Sequence, residues 1–576
     1  MPSSDPSALA QVVRKYSLAN AVKYDGKADA RAVIGKILAE RPDVRQKARE
    51  LIELVNATIE EVNAMSVEEQ RQELQGVAPQ LLEYHHERRA KELPALGGAT
   101  MGRVVTRLPP EPSGYPHIGH AYAGYINWFY ARHYRGRLVL RFEDTNPRAV
   151  RKEYYDAFRD GYRWMGIDWD KELKVSDDIP YFYERARELL QKGQAYLCTC
   201  PENEIKKGRR LGIECSHRRS AAEDNLARWD DILEGKYHEG EIVCRLKGDM
   251  KHPNAVMRDP NMLRIIEHRH PFQGDRYRLW PTYDFAVALE DHLCGITHIL
   301  RSNEFASRGE LQAFIRSLFG FPQPRIQEFS RLNVEGSPVS KRQIRPLVQS
   351  KIISGWDDFR LATLTGLRRR GIIPETIKEL TREVGLSVAQ PVIDWSIILG
   401  INRRLVDPMA NRYFAVADPV PVTIIGADPR DAQLPFHPDF QDRGTRGVHV
   451  DSRVFIDSAD AKQLKQGDAF RLKHLYNVRV DKKSARGVTC SYAGEEVDKT
   501  ETKIQWVGED NLPVQLTFPD VLYLGEQPNP HSLRVENGLG EAAMRALKLD
   551  AIIQLERKGF GRIDRTGDQV IVIMTG

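Results

Sequence analysis

The sequence predicts a multidomain protein. An α-helical amino-terminal extension leads into an α/β domain with a parallel sheet and an insertion, followed by a helical connector and carboxy-terminal antiparallel β-barrels. Three observations carry this reading. Residues 26 to 93 read as successive amphipathic helices. From Gly102, short β-rich runs alternate with long amphipathic stretches. Beyond about residue 411, strand-like runs are punctuated by Pro, Gly, Asp and Asn.

In order along the chain, Leu51, Leu54, Val55, Thr58, Ile59 and Val62 keep a 3.6-residue period, and Ser66 with Glu69 has capping-box spacing. Pro94, Gly97, Gly98 and Gly102 form a small-residue linker, which puts the end of the helical extension (1–100) there. In the first half of the α/β domain (101–195), Arg103 to Arg107 and Leu138 to Arg141 read as strands, and Ala121 to Tyr134 and Tyr154 to Trp164 as helices. Residues 196–280 break the rhythm with a cysteine cluster, a charged helix and a strand-like Ile242 to Leu246, and are read as an insertion. The second half follows (281–336). The connector (337–410) places Ile377, Leu380 and Val384 on one helix face before Gly385. In 411–576 the strand-like runs are Tyr413 to Ala417, Val420 to Ile425, Val448 to Ile456, Phe470 to Val480, Lys503 to Val507 and Val570 to Met574.

At 576 residues, with 41% hydrophobic and 29% charged residues, the chain is neither a disulfide-stapled peptide nor a disordered one. A net charge of +5 is too small to announce a nucleic-acid binder, so a polyanion would be met by local patches. No apolar run is long enough to span a membrane, and Met1 to Ala10 lacks the apolar core of a signal peptide, so cytoplasm is the expectation. Six cysteines, three of them between Cys198 and Cys215, point to metal before disulfides.

The stretch Thr106 to His120, T-R-L-P-P-E-P-S-G-Y-P-H-I-G-H, reads as a strand end, a proline-rich turn and a helix start. Gly114 and Gly119 let backbone approach a ligand there, as phosphate binding requires. His117 and His120, three apart, share a helix face and can both donate to an α-phosphate. Far downstream, Val339-Ser340-Lys341-Arg342 follows a loop, Glu335 to Pro338, from which a lysine can reach a leaving pyrophosphate. Cys198-x-Cys200 and Cys215-x-His217 have the pairing that closes a tetrahedron around Zn2+, while Cys244, Cys294 and Cys490 read as small core residues.

Together, in this order, the histidine and lysine motifs resemble the two signatures of class I aminoacyl-tRNA synthetases. The runs Pro109 to Tyr115, Arg141 to Pro147, Pro281 to Ala286 and Glu328 to Asn333 look like the glutamyl/glutaminyl branch, and the overall likeness is to archaeal-type glutamyl-tRNA synthetase. Lys15 to Lys36 resembles the helical extension of that group. One departure is that Pro338 and Arg342 replace the outer Lys and Ser of the lysine motif.

The resemblance implies a Rossmann-type class I catalytic domain, an insertion that binds the tRNA acceptor stem, and anticodon-binding barrels. It implies that ATP, with Mg2+, and L-glutamate give glutamyl-adenylate, and that the glutamyl group then passes to the 3′ end of tRNA(Glu), with tRNA(Gln) left open. It assigns catalysis to His117, His120 and Lys341. ATP binding falls to these together with Pro110, Gly114, Gly119 and Ser340, and glutamate binding to Arg107, Glu143, Tyr283 and Arg301. Arg301 is the discriminating position, since glutaminyl enzymes tend to be uncharged there. A glutaminyl enzyme and a non-catalytic tRNA-binding paralogue are the alternatives. The likeness also places the ligand set Cys198, Cys200, Cys215 and His217 where related synthetases carry a zinc element. Basic runs at Lys206-Lys207, Arg209-Arg210, Arg218-Arg219 and Arg368-Arg369-Arg370 suit phosphate contacts but equally a solvated face. A monomer is expected, because no heptad run appears.

Overall fold

The computed structural model describes residues 6–23, 26–41, 44, 48–78, 92–389, 391–497 and 502–575. Two compact units divide between Lys91 and Glu92. The part of the expected helical run that falls on residues 79–91 lies outside the described residues.

The first unit contains the helices Pro6–Lys23, Ala30–Glu40, Ala48–Ala64 and Val67–Val77. The predicted periodic face is buried: Leu51, Val55 and Ile59 meet Val13, Val33 and Ile37, and Val62 meets Leu18 and Leu74. The capping box closes at Ser66, whose Oγ accepts from the Glu69 N–H while its own N–H donates to the Glu69 carboxylate at 2.7 Å. Gln70 is wholly buried, and its Nε2 is satisfied by the carbonyls of Gly26 and Val62.

The stretch read as a linker is docked onto the second unit. Leu93 and Leu96 are buried in its core, and the Tyr130 hydroxyl donates to the Pro94 carbonyl at 2.7 Å. Glycine content signals a bend and says nothing about what the flanking leucines pack against.

In the second unit the strands Val105–Leu108, Arg137–Phe142 and Lys171–Lys174 are parallel, with the helix Ile118–His133 crossing between the first two. Gly136 is obligatory in the tight return, because a Cβ there would lie 1.9 Å from the Val104 carbonyl oxygen. The strands His298–Ser302 and Arg325–Phe329 form a second parallel pair. Thr297 joins it to the first strand by accepting from the Val105 N–H at 2.8 Å. Between the halves, Ala195–Cys198, Val243–Leu246, Asn261–Ile265 and Leu279–Pro281 make an antiparallel four-stranded sheet. Its core, around Trp229, Met262 and Trp280, is continuous with Phe182 and Phe285 of the flanking helices. The connector helices Pro374–Val384 and Trp395–Val406 pack onto the crossing helix through Ile377, Leu380 and Ile398.

The carboxy-terminal part forms two seven-stranded sheets. Each is closed by a single run broken at one residue. Asn411–Tyr413 pairs with Ile552–Leu555, and after Phe414 the strand Ala415–Ala417 pairs with Leu533–Glu541 at the opposite edge. Lys503–Ile504 pairs with Ala469–Leu472, and after Gln505 the strand Trp506–Val507 pairs with Arg453–Ile456. The two seams meet: Gln505 Nε2 donates to the Ala415 carbonyl, and the Phe414 and Trp506 rings stand 6.3 Å apart at 72°.

Two strand-level expectations change here. Tyr413 to Ala417, Val448 to Ile456, Phe470 to Val480 and Lys503 to Val507 are each two strands. The pairing is largely antiparallel but includes parallel neighbours, such as Val420–Ile425 with Gly487–Tyr492 and Asn511–Pro519 with Val570–Met574. Closing a sheet on itself sets distant strands side by side, and their direction follows the path of the chain rather than a hairpin turn. Among the described residues no helix is long and apolar enough to cross a membrane.

A Cβ at Gly538 would stand 2.0 Å from the Val416 carbonyl oxygen, across the seam. Gly538→Ala is expected to cost about 1–3 kcal/mol or more, as overpacking does. Gly400→Ala, which meets nothing within 4 Å on its helix, should be neutral or slightly stabilising. Melting curves of both variants check this, and an unchanged melting temperature for Gly538→Ala would show that the seam yields.

Candidate active site

Above the ends of the parallel strands lies a cleft of about 880 Å3. Of the residues singled out from the sequence, Arg107, Pro110, His117, Gly119, His120, Glu143, Tyr283 and Arg301 line it. Gly114, Ser340 and Lys341 stand outside the lining, and the cysteine–histidine quartet lies apart in the insertion.

One end of the cleft is built by the prolines of Pro109 to Pro116 and the start of the helix Ile118–His133, with His117 as its N-cap. His117 Nδ1 accepts from the Gly119 N–H at 3.1 Å, and His120 Nδ1 accepts from the His117 N–H at 3.2 Å. With both Nδ1 atoms engaged as acceptors, each neutral ring carries its proton on Nε2. Burial pushes the His120 pKa down to about 4, helped by Arg331. Burial, then His120 and Arg331, holds His117 well below its ordinary value. Gly119 is tightly confined, since a Cβ there would sit 3.0 Å from the His117 ring. The cleft therefore presents two uncharged N–H donors at a helix start whose own first amides are already taken, Ile118 N–H by the Ala362 carbonyl and Gly119 N–H by His117.

Lys341 opens the helix Lys341–Gln349 and donates from Nζ to the Ser113 carbonyl at 2.8 Å, which ties it to the proline-rich turn. Burial lowers its pKa, as do Arg345 and Arg151. The Ser340 hydroxyl donates to Gln343 Oε1.

The other end of the cleft rests on a buried ion cluster. Arg107 Nε and an Arg141 terminal nitrogen each lie 2.9 Å from Asp291 Oδ1, Arg141 Nε donates to Glu143 at 2.8 Å, and Arg316 approaches the other Asp291 oxygen at 3.9 Å. Burial works against the Asp291 charge, but Arg107 and Arg141 outweigh it and hold its pKa below the usual range. At Glu143 burial wins over Arg141 and the pKa rises. Arg107 retains a buried terminal nitrogen without a partner. Tyr283 stacks near Phe305 with ring centres 5.6 Å apart, and burial raises its pKa to about 12.

Arg301 is buried. It donates to Gln312 at 2.8 Å and to Glu328 at 3.3 Å, while its Nε is unpartnered. Neither of the nearby acidic residues Glu304 and Glu290 takes Arg301: Glu304 takes Ser302 and Arg331, and Glu290 faces Asp178. Gly309 makes room for the guanidinium, because a Cβ there would be 2.9 Å from it. Asp291, Gln312, Arg316 and Asp284 were not visible as site residues from the sequence. For Asp291 the one local signal is its place in the acidic pair Glu290-Asp291, directly after the apolar run Phe285 to Leu289.

In the insertion, Cys198, Cys200, Cys215 and His217 converge, with all four ligand atoms within 4.8 Å of one another. Cys215 Sγ lies 3.6 Å from Cys198 and 3.4 Å from Cys200, and His217 Nδ1 is 3.2 to 3.8 Å from the three sulfurs. A tetrahedral metal with ~2.3 Å bonds to sulfur sets edges of roughly 3.8 Å, so the cage has the size of a metal centre. The Thr199 hydroxyl lies 3.0 Å from His217 Nε2 and fixes the ring. Burial raises the Cys198 thiol, and burial with the neighbouring thiols raises Cys200 to about 12.

Comparison with known proteins agrees with this layout. The family model described as tRNA synthetases class I (E and Q), catalytic domain, matches residues 103–405, and two anti-codon binding domain models of the same class match 410–493 and 503–564. The chain is 42% identical to the glutamate–tRNA ligase of Korarchaeum cryptofilum, over 96% of this chain and 97% of that protein. It is also 42% identical to that of Pyrococcus furiosus (97% and 98%) and 40% identical to that of Thermococcus onnurineus (98% and 99%).

The histidine geometry has a pH signature. An unfolded imidazole protonates near pH ~6.5, whereas folded His120 holds off to about 4. Between these values the unfolded state binds more protons, so this contribution to stability is present above about 6.5 and is lost as pH falls toward about 4. The His120 ring resonances of the ligand-free protein should titrate with a midpoint close to 4. A midpoint near the free-imidazole value would show that the ring is not buried as described.

Proposed function

The chain belongs to the class I tRNA synthetases of the glutamyl and glutaminyl group, and from that premise we propose how its cleft divides the labour. Its activity is that of a glutamate–tRNA ligase, whose partners are ATP, glutamate and tRNA. The observation that carries the assignment of roles is the pairing of two neutral N–H donors at a helix start with a surplus of guanidinium at the other end of one cleft.

In the first step an oxygen of the glutamate α-carboxylate attacks the α-phosphorus, and the bond to the pyrophosphate oxygen breaks. Negative charge grows on the α-phosphate oxygens, where Nε2–H of His117 and of His120 donates. Neutral donors already in place require no proton uptake during the reaction. Lys341 exchanges the Ser113 carbonyl for the departing pyrophosphate, and Gly114 and Gly119 leave the backbone open to the triphosphate. Mg2+ arrives with ATP and screens its phosphates. In the second step the 3′ ribose hydroxyl attacks the acyl carbon and AMP leaves.

At the amino-acid end, Arg107 and Arg301 hold carboxylate, Glu143 takes the ammonium and Tyr283 hydrogen-bonds. A carboxylate reaching the unpartnered Arg107 and Arg301 nitrogens removes their desolvation penalty, which an amide does less well. The tRNA acceptor is that of glutamate, and the same assay decides whether the glutamine tRNA is charged as well. A cytoplasmic monomer fits this reading, since one chain supplies every residue it uses.

The metal of the insertion is, in this reading, zinc with a structural role. Three thiolates and an imidazole are a closed ligand set with no open position for substrate. Cys198, Cys200, Cys215 and His217 would hold it, and Arg218 next to them ties the loop to Asp259 through an ion pair at 3.0 Å.

Charging of defined tRNA transcripts with labelled glutamate or glutamine tests the assignment. Lys341→Ala should lower the rate by at least ~10²-fold. Arg301→Cys should cut kcat/KM for glutamate by ~10²-fold or more, the scale of breaking a buried ionic contact, and glutamine use much less. An unchanged glutamate-to-glutamine ratio with a lowered melting point would mean that Arg301 is only structural.

Metal analysis of untagged protein should find about one zinc per chain, with Cys200→Ser losing it and loosening the insertion. Full activity without metal would return the quartet to ordinary thiols.

A further inference from the structure

Beneath the amino-acid end lies a carboxyl that the two-step reaction does not use. Glu290 is wholly buried on the helix Tyr283–Leu293, beside Asp291. It faces Asp178, which stands at the N-cap position of the helix Ile179–Gln191 yet makes no capping bond to it. The Asp178 carboxyl faces that of Glu290 instead, and Glu290 Oε1 is buried without a partner that donates to it. Two carboxyl groups can share a hydrogen bond only if one of them keeps a proton. Asp178 is half-buried with Lys171 nearby, whereas Glu290 is sealed from water, so the proton belongs to Glu290. Burial raises the Glu290 pKa to about 8, with Arg141 opposing and Asp178 and Glu143 reinforcing. The other groups around the pair are the Cys294 thiol, 3.9 Å from Glu290 Oε2, then Tyr181, and Asp177 beside Asp178.

The proton decides the charge of the cluster. With Glu290 neutral, the buried guanidiniums of Arg107, Arg141 and Arg316 face only two carboxylates, Glu143 and Asp291. Arg107 Nη1 and Arg141 Nη2 remain buried without a hydrogen-bond partner, Arg141 Nη1 being the nitrogen that lies against Asp291. An ionised Glu290 would supply the third carboxylate, a charge that Arg141 favours.

We propose that Glu290 is a positioning residue whose retained proton keeps the cluster one positive charge in excess, so that an incoming glutamate carboxylate, held through Arg107, completes it. This rests on the reading of Arg107 as a glutamate ligand. The consequence is that glutamate affinity, rather than the chemical step, falls as Glu290 ionises.

The test is KM for glutamate in aminoacylation at saturating ATP and tRNA, from about pH 7 to about pH 9.5, for the wild type and Glu290→Gln. The wild-type KM should climb by up to ~10-fold per pH unit above the ionisation while kcat moves little, and that climb should be lost in Glu290→Gln, whose amide does not ionise. The substrate ammonium titrates alike in both proteins, so the ratio of their KM values isolates Glu290. Infrared difference spectra of the wild type, without substrate, should show a protonated-carboxyl band at neutral pH that disappears on alkalinisation and is missing from Glu290→Gln. A wild type without that band, or a KM ratio that is flat across the pH range, overturns the proposal. Arg107→Gln separates the two levels. An unchanged glutamate KM in that variant overturns the reading of Arg107 and the proposal with it, whereas a raised KM together with a flat wild-type-to-Glu290→Gln ratio overturns the proposal alone.

Discussion

The carboxylate of Asp291 holds the catalytic unit together. It takes Arg107 and Arg141 from two adjacent parallel strands of the first half while itself belonging to a helix that the chain supplies only after the insertion, with Arg316 behind it on the next helix. All four side chains are sealed from water. A buried charge without a partner costs several kcal/mol, so the halves have little freedom to dock in another register. The arrangement also leaves a buried nitrogen of Arg107, the member of the cluster that lines the cleft, without a partner.

The histidine end of the cleft depends on a local device. Four prolines between Pro109 and Pro116 fix the approach of the chain, and the two histidines then satisfy backbone amides through Nδ1, which turns Nε2–H toward the cleft. Lys341 reaches the same turn from more than two hundred residues away through one hydrogen bond to Ser113. One end of the cleft is thus set by short-range backbone chemistry and the other by a long-range ionic network.

The barrels follow a third logic. The chain starts one barrel at Asn411–Ala417, leaves to build the other, and returns from Asn511 onward. Each sheet is sealed where one residue breaks a strand, and because the two breaks, Phe414 and Gln505, lie against each other, the seams support one another. Closed sheets leave no long edge to pair with other chains.

Much of this was legible in the sequence, where the signal is local. Helix periodicity in the first unit, the capping box at Ser66, the strand–turn–helix around His117 and His120, and the Cys-x-Cys with Cys-x-His spacing are all short-range patterns, because a side chain's direction on a helix or turn follows from residue offset. Four features came only from the tertiary structure: the Arg107–Asp291 pair, 184 residues apart; the partners Gln312 and Glu328 of Arg301; the burial of Leu93 and Leu96 in what read as a linker; and the split strands that close the barrels. No offset along the chain encodes which distant charge will neutralise a buried one or which edge a strand will find, since both are settled by the packing of elements that are far apart in sequence. The sequence by itself determined the elements and the chemistry they carry; tertiary packing decided which of those residues meet, and with what charge.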